Sequence, residues 1–155
     1  MATPISVEEV IAIAACLIAS FTSLKEMKIP NWLTFPAAIL AIVVNAVHNH
    51  FLESVGGWIA VALLGGLAAT RKYIPFGVVK LLAAVSASLG PLLGIVDCVV
   101  FWVIYFVFGL MSVRGAENDD EREKIMKRQV PLGPMILIAT ILTIFAQQVN
   151  LTPLK

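Results

Sequence analysis

Charge is scarce in this chain. Only 14% of its 155 residues are Asp, Glu, Lys or Arg, where a soluble domain of this size carries about a quarter. Low charge with 59% hydrophobic residues excludes intrinsic disorder, which needs the opposite balance. The net charge is +1 and no basic stripe is visible, so nucleic acid is not an expected partner. Cysteine is scarce as well. Cys16 and Cys98 each sit inside an apolar run, which gives neither a disulfide framework nor a zinc-binding thiolate cluster. Both read as small buried hydrophobes. No dinucleotide-binding glycine pattern, phosphate-binding loop or His-Glu-x-x-His helix is present. His48 and His50 share a short polar gap and read as interfacial loop residues, with no carboxylate or thiol partner in view. Neither a metal nor a cofactor is expected.

Long apolar runs are what the chain has instead. Mean hydropathy is +0.93, and six runs stand out, at about 7–21, 32–47, 55–69, 78–89, 92–113 and 134–149. The first follows acidic Glu8 and Glu9, whereas a signal peptide begins with positive charge, so a retained helix is expected. The expected fold is a single all-α integral membrane domain over residues 1–155, a bundle of about six transmembrane helices. Pro30-Asn31 suits the start of the second helix, and Leu89-Gly90-Pro91 breaks the chain between the fourth and fifth. The mixed-charge stretch from Arg114 to Gln129 reads as a solvated loop or a short surface helix. Gly56-Gly57, Gly65-Gly66 and the Gly90/Gly94 pair would allow close helix packing.

Apart from Lys80 and Lys155, every Lys and Arg falls in the first, third or fifth loop. By the positive-inside rule those loops face the cytoplasm and both termini lie outside. Two ionisable residues fall within apolar runs, and such residues are candidates for function. Asp97 is near enough to the outer end of its run to be hydrated or to serve a helix start. Lys80, near the cytoplasmic end of the fourth run, either snorkels to the surface or lines a polar cavity.

The segment from Ser23 through Ile29-Pro30-Asn31 to Thr34 resembles the first signature of the type IV prepilin peptidases and the related preflagellin peptidases, which are membrane aspartic proteases. In that family an aspartate stands six residues before Ile-Pro-Asn. Phe76-Gly77-Val78-Val79-Lys80-Leu81 resembles the second signature, Gly-x-Gly-Asp-x-Lys, and Val130-Pro131-Leu132-Gly133-Pro134 resembles the approach to the last core helix. The length is similar to the short, peptidase-only form found with tight-adherence (Flp) pili. The resemblance implies a prokaryotic cytoplasmic (inner) membrane location with several passes and a cleft opening to the cytoplasm between the first and fourth segments. It implies a role in type IV pilus or protein-secretion systems. The implied partners are a prepilin signal peptide with its apolar helix, the lipid bilayer, and a second copy, an active peptidase or a pilus-assembly protein.

Both catalytic positions depart from the family. Ser23 stands where the first aspartate is expected and Val78 where the second is, while Pro75 replaces the first glycine of the second signature. Asp97, Asp119 and Asp120 are the only aspartates, and all lie in other segments. The expected site frame is Glu26, Pro30, Asn31, Gly77 and Lys80, around two positions that cannot exchange protons as carboxyls do. An inactive homologue that still binds prepilin-like helices is therefore expected, with Lys80 reaching water or pairing with Glu26. One alternative makes Ser23 a nucleophile and Lys80 its general base. Another takes the chain as an unrelated small helical membrane protein.

Overall fold

The computed structural model describes residues 5–26, 28–71, 74–114 and 132–149. Most of the long charged loop, from 115 to 131, lies outside the described residues. Six helices follow one another, α1 (Val7–Glu26), α2 (Asn31–Val47), α3 (Phe51–Thr70), α4 (Phe76–Leu89), α5 (Pro91–Arg114) and α6 (Leu132–Gln148), with no strand among the described residues. They correspond one to one with the six apolar runs. Helix α1, helix α3 and Pro91–Met111 of α5 are long and apolar enough to cross a membrane. Helices α2 and α6, at 17 residues each, are near the lower limit for a span.

Local chemistry sets the helix ends. Ser6 and Glu9 form a reciprocal cap on α1. The Ser6 amide donates to Glu9 Oε2 (2.8 Å) and the Glu9 amide to Ser6 Oγ (3.3 Å). Pro30 stands in extended conformation before α2, and its carbonyl accepts from the amides of Leu33 and Thr34. Gly90 takes φ 85°, a left-handed conformation that glycine enters without strain, and α5 starts at the next residue.

Helix α4 occupies the middle. From Val78 to Ser88 every residue except Lys80 is buried, because α1, α2, α3, α5 and α6 all pack against it. A helix apolar all round needs such company. Its 14 residues span about 21 Å, less than a bilayer's apolar core of about 30 Å. Neighbouring side chains take up the carbonyls near its end. Asn45 of α2 donates to the Ala87 carbonyl (3.1 Å), and Ser54 of α3 donates to the same oxygen (2.6 Å).

Glycine lets the neighbours come close. A Cβ on Gly57 would lie 2.6 Å from the Ser86 carbonyl, and one on Gly94 would collide with the Ser86 side chain. Gly56 and Gly66 meet nothing, so only one member of each expected glycine pair faces α4. Outside this core, large apolar side chains such as Leu17, Phe21, Leu52, Leu63, Phe106 and Phe145 are exposed, a surface suited to lipid rather than water. Gly57→Ala is expected to lower stability by about 1–3 kcal/mol through overpacking, whereas Gly56→Ala should leave it unchanged or slightly higher. Thermal unfolding in detergent reads the difference, and equal effects would contradict this packing.

Candidate functional site

The site-bearing end of the bundle is where α1 ends, α2 begins and α4 begins. Helix α1 runs on through Ser23 to Glu26, beyond the apolar run that announced it. Ser23 is 3% exposed, and its Oγ accepts a hydrogen bond from the Gly133 amide (3.2 Å) at the start of α6. A Cβ on Gly133 would come within 2.7 Å of the Ala19 carbonyl, so α6 seats directly on the last turns of α1. Val78 is 2% exposed and stands in the first turn of α4. An anionic side chain in a first turn is stabilised by the helix dipole, and a valine takes no advantage of that.

The two signature segments meet. Gly77 lies against Ile29, close enough that a Cβ would sit 3.2 Å from the Ile29 carbonyl oxygen. Lys80 Nζ donates to Asn31 Oδ1 at 2.9 Å and lies 5.3 Å from the centre of the Phe35 ring. The half-buried ammonium thus has a neutral acceptor and an aromatic face, both from α2. Of the two arrangements expected for Lys80, water or Glu26, the pairing with Glu26 is not present, and the lysine is partly exposed. Glu26 is exposed at the last residue of α1, on a shallow surface groove with Phe21 and Lys25. Nor does the structure join Ser23 to Lys80. The serine is bonded to α6 and the lysine to α2, so the Ser23–Lys80 pair has no hydrogen bond through which the lysine would take the hydroxyl proton.

Polar groups around Ser23 are hydroxyls bonded to their own helix. Ser20 Oγ donates to the Cys16 carbonyl and Thr22 Oγ1 to the carbonyls of Ile18 and Ala19. Among the described residues Glu26 is the one carboxylate at this end. No group of three His, Cys, Asp or Glu side chains among the described residues is placed to hold a metal.

Two expectations elsewhere are corrected. His48 and His50 do have carboxylate partners. His48 Nδ1 pairs with Glu8 from the start of α1, and His50 Nδ1 lies 3.2 Å from Glu53 of α3. Asp97 neither reaches the surface nor stands at a helix start. It is 1% exposed, because α3, α4 and α6 pack against α5.

The chain matches the family model of the type IV leader peptidases over residues 10–115, a stretch that includes Ser23, Asn31, Val78 and Lys80. It belongs to that family. The comparisons with curated proteins and with solved structures give no match. A double-mutant cycle of Asn31→Ala and Lys80→Met should give a coupling of about 0.5–1 kcal/mol, modest because the pair is partly solvated. Additive effects on thermal unfolding would mean that this hydrogen bond does not tie the two signatures together.

Proposed function

We propose that this chain is a catalytically silent leader peptidase homologue that binds prepilin-like leaders and their apolar helices without cutting them. The observation that carries this reading is a family frame with no acid at positions 23 and 78. Ile29 rests on Gly77 and Asn31 holds Lys80, yet the positions matched to the two aspartates are a hydroxyl committed to Gly133 and a buried isopropyl group.

An aspartic protease needs two carboxyls that share a proton, one to activate water and one to protonate the carbonyl oxygen. Valine has no proton to exchange, and a serine hydroxyl is no base at neutral pH. Loss of one member of such a unit removes most of its rate. Loss of both leaves no route through these positions.

The proposed setting is the cytoplasmic membrane of a prokaryote, with the α1–α2 end facing the cytoplasm. The charge of the loops supports that orientation, since Lys25, Lys28 and Arg71 stand at or beside the helix ends there. Residues 1–155 would act as one domain, serving a pilus or secretion system alone, as a pair, or beside an active peptidase.

The purified chain, reconstituted in lipid nanodiscs with a fluorescent prepilin leader-and-helix peptide, is expected to bind saturably and to release no product. Cleavage that disappears when this chain is mutated would overturn the inactivity. Binding no stronger than that of a scrambled apolar peptide would overturn the retained recognition.

A further inference from the structure

At the end of the bundle opposite Ser23 and Lys80, the described residues line a pocket of about 350 Å³. Its wall includes Glu8, Glu9 and Glu53, with His48 and His50 beside two of them. Leu93 of α5 and Gln147 of α6 also line it. One helical turn deeper on the same two faces stand Asp97, four residues after Leu93, and Thr143, four before Gln147. Asp97 therefore lies about 9 Å along α5 from its start at Pro91, inside the bundle.

The chemistry of that spot is unfinished. Asp97 is 1% exposed, and neither of its oxygens has a hydrogen-bond partner among the described residues. Thr143 is 2% exposed, and its hydroxyl is also unpartnered there. Thr140 and Thr143 stand within hydrogen-bonding reach of the carboxyl, although neither makes a bond of normal geometry to it. The Thr140 hydroxyl gives its proton to the Ile136 carbonyl (2.9 Å), so only lone pairs remain to face its surroundings. Cys16 Sγ lies 3.6 Å from that hydroxyl and, with the proton so committed, is the donor to it. Among the described residues no Lys, Arg or His forms an ion pair with Asp97. A lone buried carboxylate is costly until something positive neutralises it.

We propose that Asp97, Thr140 and Thr143 form a sodium-binding site, filled through the acidic pocket above it. Oxygen donors without a thiolate or imidazole among them suit a hard cation. One carboxylate balances one charge, whereas a divalent ion would leave an uncompensated positive charge in a low-dielectric interior. The carboxylates at the pocket raise the local concentration of cations. This inference is independent of the proposed function, because it concerns other residues at the other end of the bundle.

The test uses the full chain in detergent, followed by thermal unfolding in NaCl and in choline chloride at equal ionic strength, with calorimetric titration of NaCl alongside. A ligand bound only by the folded state raises the unfolding temperature with its concentration. Sodium should do so and choline, too large for the site, should not. Asp97→Asn should abolish the sodium increment, Thr143→Val should weaken sodium binding about tenfold or more, and Thr143→Ser should retain it. The two Thr143 variants decide the matter if Asp97→Asn does not fold. An equal response to both salts means a carboxyl neutralised by a proton alone and overturns the site. So does a sodium response that survives Asp97→Asn, or one that Thr143→Val leaves unchanged.

Discussion

One charge on a sealed helix organises the functional end of this protein. Helix α4 is enclosed by five others, and Lys80 is its single ionisable residue. An ammonium group there must find an acceptor or reach water. It does both, bonding to Asn31 and lying over Phe35 from a half-buried position. That fixes the start of α4 against the turn before α2, and the Ile29–Gly77 contact closes the same joint from the other side. Ser23 and Gly133 then couple α1 to α6. Three sequence segments far apart in the chain are held together by two hydrogen bonds and two glycine contacts.

Much of this was legible in the sequence, because apolar runs, Pro30-Asn31 and Gly90-Pro91 are local signals. The bundle and its helix order follow from them, and the two signature segments pointed to the family. What could not be read was which partner each polar side chain finds. Glu26 is nearer to Ser23 in sequence than Asn31 is, yet α1 continues to Glu26 and presents it to solvent. Glu8 is 40 residues from His48, and only the return of α2 toward the start of α1 brings them together. Asp97 was misplaced for a similar reason. Its distance from Pro91 suggested an interface, but depth in a bundle depends on which helices surround a residue, and α3, α4 and α6 pack against α5. The Ser6-x-x-Glu9 capping pattern was a readable signal for the α1 start that the apolar run alone did not supply.

The two ends of the bundle differ in a way that bears on function. Around Ser23 and Val78 the described residues offer hydroxyls, the Asn31 amide and the Lys80 ammonium, with Glu26 turned outward. The far end gathers Glu8, Glu9 and Glu53 at a pocket, with Asp97 beneath it. Among the described residues the carboxyl groups thus gather at the end away from Ser23 and Val78. The proposed binding of an apolar helix would depend on shape and exposed hydrophobic surface rather than on titratable groups.

The central claim is that the family frame is intact and only its acids are missing. Its most direct measurement is prepilin cleavage by the Ser23→Asp/Val78→Asp double variant, beside each single variant, all checked for folding by thermal unfolding. The account predicts processing by the double variant and none by either single one, since the two carboxyls act as a unit. A folded double variant that binds the substrate and leaves it uncut would contradict it.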